Sequence, residues 1–306
     1  MMFIVFMAVL ETFIIFGFGA FAWKKGMLLP GDLDRLSRLT LDFFFPMLTF
    51  TTITRNFNRD QLDELWLMPL LGFGLMAFGM VAGLFFKRLM RNRTPERERT
   101  FHHICTINNY VFLPLIVLQN IGNERHVALL LIMNVGSTVG FWTLGVMTLT
   151  GGGGGIGKSI RSIWSINLLA VIAALAVAFC GIPVPAVLDR AMSAMGMMSV
   201  PFMLLLIGVA LTQNYRSILH HKIDIGYLAI IRLAVIPVLF GLFLKLLPLD
   251  ADIFLVLLVV VLMPAASSSV LVARRYGGSD EFAAQAIIVT TLLSLISIPL
   301  LMRLLY

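Results

Sequence analysis

LDRLSRLTLDFFFP, from Leu33 to Pro46, is answered by LDRAMSAMGMMSVP, from Leu188 to Pro201. Each stretch runs from Leu-Asp-Arg to a proline at the same spacing, inside an otherwise apolar segment. The second half keeps nearly this offset elsewhere: LFFK at Leu84–Lys87 answers LFLK at Leu242–Lys245, and Gly122-Asn123-Glu124 answers Ser279-Asp280-Glu281. Leu-rich segments align with almost anything, so one pair would carry little. Three pairs in order identify an internal duplication, and duplication on this scale within lipid is characteristic of transporters.

The segments around the repeats are membrane spans. Of 306 residues, 59% are hydrophobic and only 13% charged, which lies outside the range of soluble chains. Apolar runs of about 20 residues, enough to cross roughly 30 Å of hydrocarbon as helix, recur along the whole length. Ten are expected, at 2–22, 33–54, 66–88, 101–120, 125–149, 163–181, 188–212, 223–247, 252–273 and 282–303. Backbone polar groups cannot be left unpaired in lipid, and continuous apolarity excludes the alternation of a barrel. The expected fold is therefore an all-α polytopic membrane protein. Lys24 and Lys25 follow the first span directly, with no basic residue before it and no small-residue cleavage site after it, so it reads as an uncleaved helix.

Charge sets the expected orientation. With the N-terminus outside, sixteen Lys and Arg fall on the inner side and six (Arg55, Arg59, Arg125, Arg190, Lys245 and Arg303) on the outer, leaving Arg232 between them. Both termini are therefore placed outside the bacterial inner membrane. The net charge of +7 then needs no nucleic-acid partner, and its densest run, KRLMRNRTPERER from Lys87, reads as a cytoplasmic loop touching anionic lipid. Cys105 and Cys180 lie inside apolar spans and read as neither disulfide nor metal site.

The Gly-rich stretch 151–162 divides the spans five and five, giving a first repeat over 1–150 and a second over 163–306. An odd number of spans inverts the second repeat, and inverted repeats place their site at the bilayer midplane between interrupted helices. Interruptions are legible in span 4, at Asn108-Asn109-Tyr110 with Pro114 after it, and in the matching span 9, at Pro264-Ala265-Ala266-Ser267-Ser268-Ser269. Proline removes a donor and turns the preceding residue from helical dihedrals. Half-helices starting there would aim N–H groups and positive dipole ends at the gap, with Asn and Ser as further donors. Such a gap suits a carboxylate. Pro46 and Pro201 have few donors nearby and read as kinks in a supporting framework.

Arg232 stands near the middle of span 8, where a charge costs on the order of 2.5–3.5 kcal/mol. It could face an anionic substrate, pair with an acidic side chain, or donate to the open carbonyls of a broken helix; a role in or beside the transport site is the favoured reading. Asp42 and Glu11 are the candidate buried carboxylates for coupling, although Arg38, four residues before Asp42, offers it an interfacial pair. Gly72, Gly74, Gly79 and Gly83 mark close helix packing. His102, His103, His220 and His221 read as interfacial. Gly152 to Ser159 spells GGGGIGKS and fits the P-loop expression, but membrane spans flank it in place of a strand and a soluble helix, so no nucleotide is expected. With no HExxH, GxSxG or paired-acid motif, the chain does not read as an enzyme.

Three stretches then carry a resemblance: GFGAFAWKKGMLLPGDLDRLSRLTLDFFFPMLTF from Gly17, SVPFMLLLIGVALTQ from Ser199, and MPAASSSVLVARRYGGSDEFAAQAIIVTTLLSLISIPLL from Met263. The chain resembles the auxin efflux carrier family, which includes plant auxin exporters and bacterial malonate and malate carriers. The resemblance implies ten helices in two inverted repeats, with spans 4 and 9 crossing where they break. It also implies a scaffold of spans 1, 2, 6 and 7, often dimeric, and a mobile unit of spans 3–5 and 8–10. Asn108, Asn109, Pro264 and the residues after it would line the site. The chain departs from the family in having Asn108-Asn109 for Gly-Asn, bulky Val111, Phe112 and Leu113 for small residues, and hydroxyls for an amide after Pro264.

The expected function is secondary transport of a small organic anion by elevator-type alternating access, without cofactor or metal. The substrate, its direction and the coupling ion, proton or sodium, stay open. The alternatives are a sodium-coupled symporter of larger amphipathic acids and, from another class, an ion channel or membrane sensor. A channel favours a continuous polar stripe, whereas here the polar residues gather at two breaks.

Overall fold

The computed structural model describes residues 2–29, 31–57, 66–151, 166–214 and 222–306. The Gly-rich linker from residue 152, the P-loop-like GGGGIGKS, the first residues of span 6, Arg59, His220 and His221 lie outside the described residues. All secondary structure among the described residues is helical apart from a single isolated β-bridge. Among the described residues, five helices are long and apolar enough to cross a membrane: Leu67–Leu89, Glu124–Thr150, Ala186–Ala210, Lys222–Leu244 and Asp280–Leu305. Met2–Lys24 adds 23 residues, and Asp32–Leu39 runs through a π-helical turn, Thr40–Phe44, into Phe45–Asn56.

The two expected interruptions are present. Span 4 is two helices, Pro95–Thr106 and Phe112–Ile121, and span 9 is Ala251–Val261 followed by Ser269–Arg275. The sequence repeats fall at like places in these elements. LFFK and LFLK sit at the ends of Leu67–Leu89 and Lys222–Leu244. Asn123 and Ser279 are both N-caps, accepting from His126 N at 3.1 Å and Phe282 N at 3.2 Å.

Apolar side chains gain little by leaving lipid for protein, so helices in a membrane associate through close van der Waals packing at small residues. Two helix pairs show this. Gly72 lies against the backbone of Met133 while Gly136 lies against the backbone of Pro69, which joins Leu67–Phe86 to Glu124–Gly140. Gly19 and Gly208 do the same for Met2–Lys24 and Ser199–Asn214, against Leu205 and Phe16. Gly79 and Gly83, expected to mark packing, press on Cys105; Gly74 meets nothing.

Helix ends gather in two sets. Arg55, after Pro46 in span 2, forms a forked pair with Asp189 at the start of Ala186–Gly196, donating from Nη2 to Oδ2 at 2.7 Å and from Nε to Oδ1 at 3.1 Å. Arg125 and His126 both reach Asp252, tying the starts of Glu124–Gly140 and Ala251–Val261. In the other set, buried Asp224 accepts the N–H groups of Arg91 and Asn92 at 2.8 and 3.1 Å, and Thr100 Oγ1 accepts from Ser279 N at 2.8 Å. Residues expected on opposite sides of the membrane fall in different sets.

Two expectations fail here. His102 and His103 are not free at a membrane surface: both are buried against protein within Pro95–Thr106, with ring nitrogens against Met80 O at 2.8 Å and Gly145 O at 2.9 Å. Glu11 is exposed on Met2–Lys24 rather than buried.

Candidate functional site

A helix stopped inside apolar surroundings leaves its last carbonyls without donors. Pro95–Thr106 and Ala251–Val261 both stop this way, and the connecting residues run antiparallel past each other. Asn108 and Ala265 form the β-bridge, and Asn109 N donates to Pro264 O at 2.8 Å. Asn108 Nδ2 donates to Val260 O, and Ala265 N to Thr290 Oγ1 at 3.3 Å. Each break thus satisfies part of the other.

Arg232 supplies the rest. Its guanidinium is 1% exposed and donates from Nε to Met263 O at 3.2 Å, from Nη1 to Cys105 O at 3.3 Å and from Nη2 to Val261 O at 2.9 Å. It closes the carbonyl ends of both first half-helices. Each end carries roughly half a negative charge, so two together offset one guanidinium. Of the three readings open in the sequence, this geometry is the donor to open carbonyls; Arg232 does not line the cavity described next.

Beside the crossover lies a cavity of about 380 Å³. One wall is Leu41, Asp42, Phe45, Asn167, Met203 and Ile207; the other comes from 108–112, from Asn134, Thr138, Phe141 and Trp142, and from 266–268. Of the expected site residues, Asn108, Asn109, Tyr110, Ala266, Ser267 and Ser268 face it. Pro114, Pro264, Ala265 and Ser269 do not. Pro114 sits in the first turn of Phe112–Ile121, where its missing N–H costs nothing, and the Pro264 carbonyl is taken by Asn109. The second half-helices start at the cavity with no side-chain cap at Val111 or Ser268.

Asp42 is the one charged side chain among the described lining residues. It is exposed to the cavity rather than buried, and no ion pair joins it to Arg38 among the described residues. It lies in the π-helical turn Thr40–Phe44, just before Pro46; Arg232 lies in another, Ile231–Val235, just before Pro237. A proline that cannot donate leaves an earlier carbonyl free, and a widened turn accommodates it. Glu11 is not among the lining residues.

Sequence reasoning passed over Asn134, Thr138, Trp142 and Asn167. Asn134 is 2% exposed, and neither its Nδ2 nor its Oδ1 has a partner. An amide alone in the middle of an apolar span was a legible signal, but without a neighbouring proline it drew no notice. Asn108 Oδ1 is likewise unpartnered, while Asn167 Oδ1 accepts from Thr49 Oγ1 at 2.7 Å. The arrangement offers a small polar solute neutral donors and acceptors interleaved with aromatic rings on one side, and an aliphatic wall carrying Asp42 and Asn167 on the other.

The profile of the family described as "Membrane transport protein" matches residues 4–167 and 156–302. No curated protein matches the chain. With nearly the whole length covered by the profile, and with apolar helices long enough to span a bilayer, the chain is an integral membrane protein that belongs to the auxin efflux carrier family of membrane transport proteins.

Proposed function

We propose that the chain is a secondary transporter of a small organic anion, held as a carboxylate in the cavity beside the crossover. The observation that carries this reading is the buried, wholly unpartnered amide of Asn134, a residue in the wall of a cavity whose other wall belongs to different helices. A buried amide without partners is costly, and a solute that fills its hydrogen bonds removes that cost. Ser267, Ser268 and Asn109 add donors. The cavity lies between the contacts expected of a scaffold (Met2–Lys24 with Ser199–Asn214, Phe45–Asn56 with Ile166–Cys180) and those of a second unit (Leu67–Phe86 with Glu124–Gly140, Lys222–Ile230 with Asp280–Leu305). In this reading ten spans form two inverted repeats, and the broken-helix unit moves against a scaffold that pairs as a homodimer.

Asp42 shapes the coupling. A carboxylate substrate and the Asp42 carboxylate repel each other in one small cavity, so a cation, proton or sodium, is expected to enter with the substrate. The test is a thermal-shift screen of the purified protein against mono- and dicarboxylates, at acidic and neutral pH, with and without sodium. Carboxylates should stabilise, more strongly where the coupling cation is supplied as sodium or as acidic buffer, and Asp42→Asn should remove that dependence. If no carboxylate stabilises under any of these conditions, the anion reading is wrong; equal stabilisation with and without sodium and at both pH values would remove Asp42 from the coupling.

A further inference from the structure

A second cavity, of about 510 Å³, lies where Leu67–Leu89 ends, Pro95–Thr106 begins and Glu124–Thr150 ends. Its two parts differ in chemistry. Val81, Leu84 and Met147, which are 66%, 46% and 37% exposed, give it an open apolar wall one to two turns inside the helix ends. Lys87 stands at the end of Leu67–Phe86 and Arg99 one turn into Pro95–Thr106. The Arg99 guanidinium lies beside two glycines, Gly151 and Gly277, at ordinary contact distance: a β-carbon would come 3.6 Å from its Nε and Nη2 at the first and 3.8 Å from Nη1 at the second. Both glycines adopt positive φ, +67° and +80°, which disfavours any other residue there.

Both cations stand near carboxylates, Lys87 near Glu98 and Arg99 near Glu96, but neither is held in a close ion pair. Among the described residues neither Lys87 nor Arg99 has an ion-pair partner. Glu98 is the one carboxylate on the lining, and it is engaged by Arg93, whose Nε donates to Oε1 at 2.5 Å and holds the Glu98 carboxyl below its ordinary range. From Lys87 to Arg99 there are six basic residues and two acidic ones. A groove with unpaired cations at the level where helices leave the membrane, and an apolar wall leading inward from them, matches a phosphodiester with an acyl chain attached.

We infer that this groove binds an anionic phospholipid, with its phosphate between Lys87 and Arg99 and its acyl chain along Val81, Leu84 and Met147. A free phosphate would use the cations but leave the wall empty, and the length of that wall favours the lipid. The walls belong to the unit proposed above to move, so an occupant would travel with it or restrain it; the binding itself does not rest on that motion.

The experiment titrates the full-length protein in phosphatidylcholine nanodiscs with phosphatidylglycerol, reading bound lipid by native mass spectrometry and melting temperature in parallel. The wild type should retain phosphatidylglycerol and gain stability from it. The double variant Lys87→Gln/Arg99→Gln should bind it about tenfold more weakly, with unchanged melting in phosphatidylcholine alone. Arg35→Gln/Arg38→Gln, which removes the same charge from an exposed helix elsewhere, should bind as wild type. If the first double variant does not fold, Met147→Trp, which fills the apolar part, should weaken binding in its place. Equal phosphatidylglycerol affinity in the groove variants overturns the inference. So does stabilisation by glycerol phosphate equal to that by the lipid, which would make this a site for a free phosphate.

Discussion

Arg232 joins three carbonyls from two chain segments, 29 to 127 residues away. That distance is why its role was open in the sequence: a lone arginine in an apolar span announces a partner but not which one. Its geometry now separates the outcomes of substitution. Arg232→Gln strands carbonyls that had a charged donor, and should lower stability by about 3 kcal/mol, with or without substrate. Arg232→Lys should recover only part, because one ammonium cannot span three acceptors as the planar fork does. Melting curves of both variants in detergent are the check; a wild-type melting temperature in Arg232→Gln, with transport lost, would return the residue to the substrate. Asn134 should behave in the opposite way. Its amide has no protein partner to lose, so Asn134→Leu should leave melting unchanged or raised while substrate affinity falls by roughly 1–3 kcal/mol, measured by direct binding. Retained affinity would remove Asn134 from the site.

At the scale of elements, most boundaries were legible because one signal, about 20 apolar residues between charged or Gly/Pro breaks, determines them. The breaks at 107–111 and 262–268 were legible too, through prolines and polar residues inside such runs. The π-helical turns were not. Thr40–Phe44, Phe141–Gly145 and Ile231–Val235 change no hydrophobic pattern, and only two of them precede a proline closely. Nor were the partners of the glycines, since a small residue shows that a helix approaches without naming it. The reciprocal contact of Gly72 and Gly136 gives an element-scale prediction. A methyl at position 136 meets the Pro69 backbone, which cannot swing away like a side chain. Gly136→Ala should therefore cost up to about 3 kcal/mol, whereas Gly74→Ala, in open space, should cost nothing and through helix propensity could gain up to about 1 kcal/mol. Equal melting temperatures for the two variants would show that this helix pair is looser than its contacts.

At the scale of the whole molecule, two independent observations bear on how the protein sits in its membrane. Lys and Arg divide sixteen to six between the two sides that alternating spans define. The contacts sort helix ends into matching sets, with Arg55, Asp189, Arg125 and Asp252 in one and Arg91, Asp224, Thr100 and Ser279 in the other. The first argument assigns a side and the second only requires that there be two, so a single experiment can fail them separately. Cysteines would be placed one at a time at Lys245 and Asn92, both exposed, in a background with Cys105→Ala and Cys180→Ala. The positive-inside bias puts position 92 in the cytoplasm and position 245 outside. An impermeant maleimide added to intact cells should label only the cysteine at 245, and permeabilisation should expose the one at 92. Labelling at 92 alone in intact cells would reverse the orientation while keeping the two sets of ends. Labelling at both would mean that the Asp224-anchored loop and the end of Lys222–Leu244 share one face, which a helix crossing the bilayer between them does not allow.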